Sequence, residues 1–416
     1  MTAPTIQVLV GFQTTTGFGQ PFILDDAVFG VLNTAGRGTL GGLTFADVTE
    51  FVESVNITRG RNRQLDQFNA GTATVSFDNA TRVFDPLNTA SIYYPFVLPR
   101  CPIVINANGT PIYTGVITDW NLDYDISNQD IMYATCADQF TVLSNQQLDA
   151  HTTTAELSST RISTVLDYAE INYAGARAIG TGSSTLGGTA ASAGFSIAQD
   201  TNLLNYLQLV TTSEQGYLFM SAAGALTFKG RSSVLNPVAG ATFDTTGTAL
   251  PYQTLINQFG DELLYNYIVT QSPAGAIQTT SNAASIALYQ TQNYQLLDLL
   301  NSTTTEVAAL GNYLLGKYQN PVLRFTGLTT QLAALTEANQ NLLLALDLTS
   351  VTTVQKDFAT GTPLSESQTL IVSGISHNII PGSHLVSYTF ESTDGNAYLT
   401  LNDAIFGTLD NNLLAF

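Results

Sequence analysis

Apolar and polar positions alternate with a period of two through much of the chain, and that period predicts strands. In GTATVSFDN (residues 71–79), Ala73, Val75 and Phe77 fall on one face, and Thr72, Thr74, Ser76 and Asp78 on the other. CPIVINANGTPIYTGVITDW holds two β-rich runs around Asn108-Gly109, a pair that tolerates the positive φ of a tight hairpin turn. DIMYATCADQF adds a further strand, so residues 45–147 read as a first β-barrel or sandwich domain.

The period changes near Leu148. TAELSSTRISTVLDYAEI spaces Leu157, Ile162, Val165, Leu166 and Ala169 as a helix does. GTGSSTLGGTAASAG, residues 180–194, is too small and polar to pack much core and is expected to be a flexible loop. Asp200 is expected to cap a second helix, TNLLNYLQLVTTSEQG, with Leu203, Leu204, Leu207 and Val210 inward and Gly216 as its stop. YLFMSAAGALTFKGR then reads as a hairpin, making residues 148–250 an α/β insertion domain. From Pro251 the β texture returns. LLYNYIVTQSPAGAIQTT reads as a hairpin and TEVAALGNYLLGKYQNP as a helix ended by Gly316 and Pro321. PVLRFTGLTTQL and TLIVSGISHNIIPGSHLVSYTFES complete a second β domain over residues 251–397. Residues 1–44 form an N-terminal extension and 398–416 a C-terminal tail segment. The fold class is mainly β (α+β), two β domains around one inserted module.

Composition narrows the function. Hydrophobic residues make up 44% of the 416, enough for a large core, yet only 11% are charged against about 25% in an ordinary soluble domain. Proteins built into large assemblies, and extracellular β proteins, share that profile. A net charge of −19 argues against nucleic-acid binding, which needs clustered cations, and against anionic membranes. Cys101 and Cys136 form no metal motif and are expected as buried thiols. MTAPTIQVLVGF lacks the basic start of a signal peptide, and no apolar run approaches the roughly 20 residues of a membrane span.

Catalytic chemistry finds thin support, and no enzyme, cofactor or metal site is expected. His377 and His384 flank NIIPGS, a turn that would let them face each other, but no third ligand accompanies them. GTGSSTLGG lacks the lysine of a phosphate loop. On a strand, Asp119 and Asp123 beside Trp120 would stand roughly 13 Å apart, too far for a glycosidase pair. NITRGRNRQLDQF sets Arg59, Arg61 and Arg63 on one face of an extended segment, either as a solvated edge strand or as an intersubunit contact.

Several motifs are familiar together. VNITRGRNRQLDQFNAGTATVSFDNATRVFDPLN resembles the opening barrel of minor tail proteins from long-tailed, non-contractile bacteriophages that infect actinobacteria. The pattern comprises Arg59-Gly60-Arg61, Phe68-Asn69-Ala70-Gly71, Asp78-Asn79 and Asp85-Pro86; LPRCPIVI is similar to the strand that follows it, with Cys101 where a glycine is usual. LLNYLQLVTTSEQGYLFMSAAGALTFKGR and VSGISHNIIPGSHLVSYTFES resemble the family's helix-hairpin and closing strands, with His384 where an aromatic is common. The resemblance implies a tail, or baseplate, hub: two tube-like β-barrels joined by an α/β insertion, three chains forming a ring at the tail tip. It also implies a virion protein assembled in the host cytoplasm, with the distal tail or tail tube protein, the tape measure protein and other minor tail or fibre proteins as partners. DNA would pass through the channel without specific binding. A hexameric distal tail protein and a carbohydrate-binding host-recognition protein are the alternatives.

The family also ends on a phrase like LNDAIFGTLD, and here LDDAVFGVLN near the start matches it at six of ten positions. Phe29 and Phe406 are therefore candidate subunit-interface anchors, with Gly30 and Gly407 turning the chain.

Overall fold

The computed structural model describes residues 2–14, 42–124, 126, 130–234, 240–247 and 249–393. Its first part comprises β1 (Ile6–Thr14), β2 (Gly42–Asp47), β3 (Val52–Gly60), β4 (Asn69–Asp78), β5 (Pro102–Ala107), β6 (Thr110–Asp123) and β7 (Ile131–Ala137), then α1 (Phe140–Ser144). An insertion follows: β8 (Gln147–Leu148), β9 (Glu156–Leu157), α2 (Ser158–Leu166), β10 (Arg177–Ile179), β11 (Thr185–Leu186), β12 (Thr201–Asn202), α3 (Leu203–Glu214), β13 (Tyr217–Met220) and β14 (Leu226–Lys229). After β15 (Ala241–Phe243) and β16 (Thr254–Gln258) comes a second small unit of β17 (Tyr267–Thr270), β18 (Gln278–Ser281), α4 (Ala283–Tyr289), β19 (Asn293–Leu296) and α5 (Thr304–Tyr318). The chain closes with β20 (Arg324–Gln331), α6 (Glu337–Leu344), β21 (Val351–Asp357), β22 (Ser365–Ile380) and β23 (Ser383–Ser392).

The expected mainly β, α+β class is what the chain adopts, but the two β regions do not stand apart. A single 13-stranded sheet runs β16-β20-β23-β22-β3-β4-β7-β6-β5-β1-β2, with β21 and β15 branching from β22. The junction is β22 against β3, antiparallel, from Gly374 opposite Gly60 to Ile379 opposite Val55. Gly60 sits there with φ +104°, and a Cβ on it would lie 2.3 Å from the Ser373 carbonyl oxygen; only glycine lets the strands close at that point.

The two β regions repeat one topology. The order β3-β4-β7-β6-β5 in the first sector matches β16-β20-β23-β22-β21 in the second. In both, the long strand bulges midway, at Thr118 in β6 and at Ser373 in β22. In both, a non-glycine residue with positive φ enters the sector's next strand: Arg100 at 72° and Thr349 at 67°. Arg100 donates its amide to Ile117 O and Ile117 to Cys101 O, just as Thr349 donates to Val372 O and Val372 to Ser350 O. Continuing the register outward makes β16 the counterpart of β3, residue 255 matching 55 and Ile256 matching Asn56; past Ile256 the ladder of β16 to β20 shifts register, and β16 ends at Gln258.

Alternation builds the core as expected. Val55 and Ile57, Val75 and Phe77, and Ile103 and Ile105 are buried, as are Val354, Leu370, Val372, Val386 and Tyr388 in the second sector. One apolar cluster runs through both sectors and the insertion, each large side chain in it contributing about 1.5–3 kcal/mol. The Asn108-Gly109 turn has both residues at positive φ, 47° and 76°, as a type I′ hairpin requires.

Several local expectations are corrected. Residues 180–194 are not a coreless loop: Leu186 is fully buried and the segment carries β11 paired with β9. Asn202 rather than Asp200 caps α3, accepting the Asn205 amide, and the left-handed residue ending it is Gln215, one before Gly216. Helix α5 runs through Gly316 to Tyr318. The 251–397 region is not all second barrel: β17, β18, β19 and α5 pack around Ile268, Leu299, Val307, Leu310 and Leu314 as a separate α/β unit. The insertion also stops before residue 250, since β15 pairs with β21. Phe29, Phe406 and the repeated phrase lie outside the described residues.

Candidate functional site: a buried clamp and open strand edges

Strand β3 alternates Val55, Ile57 and Arg59 on its buried face, which turns a guanidinium inward. Arg59 Nη2 donates to Met220 O at 2.7 Å and to Asp347 Oδ1 at 2.8 Å. Asp347 Oδ2 in turn accepts the Ala222 amide at 2.9 Å. One ion pair thus ties the sheet, the β13–β14 hairpin and the turn before β21. Two residues on, Arg61 Nη2 meets Glu391 Oε2 of β23 at 2.5 Å, where the carboxylate side chain is 1% exposed. Its Nη1 donates to Asp66 O at 2.8 Å, and its guanidinium lies over Phe68 and Tyr217, 4.7 and 5.4 Å from the ring centroids.

The edge-strand reading of the arginine cluster is corrected: β22 and β4 flank β3, and the guanidinium groups of Arg59 and Arg61 are engaged within the chain. Arg63 alone stays at the surface, 3.4 Å from Glu262 and 3.7 Å from Asp66, with all three side chains about half exposed.

Two further buried ions organise the insertion. Glu214, fully buried, accepts from Ser158 Oγ and the amides of Ser183, Ser184 and Arg231 at 2.7–3.2 Å. Arg161 donates to Glu156, the Tyr206 hydroxyl, Thr154 O and Gly187 O. Together they pin the 180–194 segment from both sides. The sequence carries a signal for each: Glu214 falls on the stripe of Leu203, Leu207 and Val210, and Arg161 on that of Ile162 and Val165, where an unpaired charge would be costly.

His377 and His384 do face each other, Nδ1 to Nε2 at 2.9 Å. Burial drives both below the usual histidine range, His384 to about 4, and His384 weighs on His377 as well. They are a neutral pair, and among the described residues no third metal-ligating side chain joins them. Trp120 is part of the aromatic core, its ring 5.9 Å from Phe84 and its Nε1 donating to Leu98 O at 2.9 Å. Asp119 and Asp123 are exposed on β6. Cys101 and Cys136 are buried and free, and burial raises both thiol pKa values, which suppresses thiolate chemistry.

The sheet leaves two stretches unpaired among the described residues. β16 has β20 as its sole strand neighbour, with Ile256 60% and Phe259 70% exposed. On β6 the half beyond Ile117 pairs with β7 on one side and with no strand on the other.

No family model and no curated protein matches the sequence. Solved structures do match in fold. The tail protein from Neisseria meningitidis MC58 is similar with a TM-score of 0.56 at 10% identity, over 84% of this chain and 94% of that one. The 43 kDa tail protein of prophage MuSo2 from Shewanella oneidensis gives 0.51 at 12% identity, over 84% and 95%. A prophage tail protein from Listeria monocytogenes EGD-e gives 0.50 at 10% identity, over 93% and 95%. The chain has the fold of these phage tail proteins along most of its length.

Removing the arginine of the buried pair strands Glu391. Arg61→Met is expected to cost about 3–5 kcal/mol, whereas Arg63→Met, in an exposed pair, costs about 1 kcal/mol or less. Urea melts of both variants check this, and equal losses would contradict the clamp.

The histidine pair has a signed pH effect. With its folded pKa near 4 below an unfolded value near 6.5, His384 leaves the unfolded chain holding more protons in that window, so stability is full above pH 6.5 and falls toward pH 4, by about 3 kcal/mol. Burial raises Asp138 to about 6, so stability from that group grows as pH falls, partly offsetting the loss in parent and variant alike. His377→Leu/His384→Phe should remove most of the histidine-linked loss in melts between pH 7 and 4; an unchanged pH dependence would refute the assignment.

Proposed function

We propose that this chain is a non-enzymatic structural protein of a phage virion, a trimeric hub at the tail tip. In this reading three copies ring the DNA channel and link the tail tube to host-contacting tip proteins. The observation that carries it is the internal repeat. Each chain supplies two sectors of one topology, side by side in one sheet, so three chains offer six equivalent sectors to a six-fold tube. The shared fold with three tail proteins supports the broader assignment to a tail.

A six-fold distal tail ring would place twelve such sectors in a circle, which fits a six-fold neighbour less simply. A carbohydrate-binding role finds little in Trp120, whose ring and Nε1 are both engaged inside the chain. The net charge of −19 suits a channel wall that DNA slides past. Distal tail or tube, tape measure and fibre proteins are the partners this role implies.

Electron microscopy of the assembled protein tests the proposal by symmetry. A three-fold ring with a central hole is expected. A six-fold ring would overturn the hub in favour of a distal tail protein.

A further inference from the structure

We infer that copies of this chain join head to tail by β-pairing, with β16 of one copy added antiparallel to the Thr118–Asp123 half of β6 in the next. This rests on the ring reading above and names the surface that would close the ring.

The internal junction is the template. β22 carries two strands on one side: β21 along Ser365–Ile371, then β3 along Gly374–Ile379. Its counterpart β6 carries β5 along Thr110–Val116 and then, beyond the bulge at Thr118, no strand among the described residues. The counterpart of β3 is β16, which among the described residues likewise has no strand on its outer side. Each chain therefore holds one filled junction, β22 with β3, and the two separated halves of a second.

Transferring the register fixes the contacts. Ser376 opposite Thr58 and Asn378 opposite Asn56 become Asn121 opposite Gln258 and Asp123 opposite Ile256 of the next copy. On the other face, Ile375 beside Arg59 and Ile379 beside Val55 become Trp120 beside Phe259 and Tyr124 beside Leu255.

The chemistry of the two edges agrees. From Thr254 to Phe259 there is no charge and no proline, the usual devices that keep an exposed edge from pairing. Phe259 and Tyr124 are 70% and 52% exposed, and the pairing covers both. The exposed carboxylate of Asp123 is not set opposite a like charge, since it meets Ile256.

Disulfide trapping tests the pairing. Asp123→Cys and Ile256→Cys chains, each oxidised alone and then mixed, should give covalent dimers only in the mixture, and a chain carrying both cysteines should give species of up to three chains. Both positions are exposed, so folding is retained, and native Cys101 and Cys136 are buried. In parallel, Ile256→Asp should weaken self-association by at least about tenfold through repulsion with Asp123, and Asp123→Lys in the same chain should restore it. Dimers formed by Ile256→Cys alone would overturn the head-to-tail arrangement in favour of two-fold edge pairing. A three-fold ring that forms without the mixed cross-link would overturn this junction while leaving the hub standing. Absence of both cross-link and self-association would overturn the two together.

Discussion

The structure depends on the union of β22 with β3. An open sheet edge is a row of unpaired amides and carbonyls, and two sectors of this kind would each expose one there. Joining them satisfies those groups along six residue pairs, from Gly374–Gly60 to Ile379–Val55. Flanking charges fix the union in place. Arg59 reaches from β3 to Asp347, and Arg61, just past it, reaches Glu391 on β23. Because both ends of the Arg61 pair are withdrawn from water, either partner alone would be an uncompensated buried charge, so the pair works as a latch.

The same economy recurs in the insertion. A chain with 11% charged residues places several of them inside, at junctions where backbone must meet backbone without a sheet. Glu214 collects three amides from two separate segments, and Arg161 collects two carbonyls. The glycine-rich 180–194 stretch has little apolar surface of its own, and these ions supply the ordering that burial cannot.

Much of the fold was legible because it is local. The alternation of Ala73, Val75 and Phe77, the Asn108-Gly109 turn and the stripe of Leu203, Leu207 and Val210 each state their element without help from distant residues. The motifs of the tail-protein resemblance pointed to the fold that solved tail proteins share. What stayed hidden is long-range. VNIT (residues 55–58) and LINQ (255–258) occupy equivalent strands but share no residue at matching positions, so the internal repeat is invisible until strand pairing is known. In sequence the charge of Arg59 outweighs its place on the row of Val55 and Ile57, and its partner Asp347 lies 288 residues away. The second α/β unit gives no sign of itself in sequence because its hairpin, Tyr267–Ser281, looks like any other.

The two sectors form one cooperative sheet rather than two domains in contact. Native-state hydrogen exchange measures it directly, by comparing junction amides in Val55–Arg59 and Gly374–Ile379 with central ones in β4 and β7. If the junction is as integral as the pairing indicates, both groups exchange through the same global opening, with the same free energy and the same denaturant dependence. Junction amides that exchange through a smaller opening, while β4 and β7 stay protected, would show the sectors parting along β22 and β3 and would contradict the account.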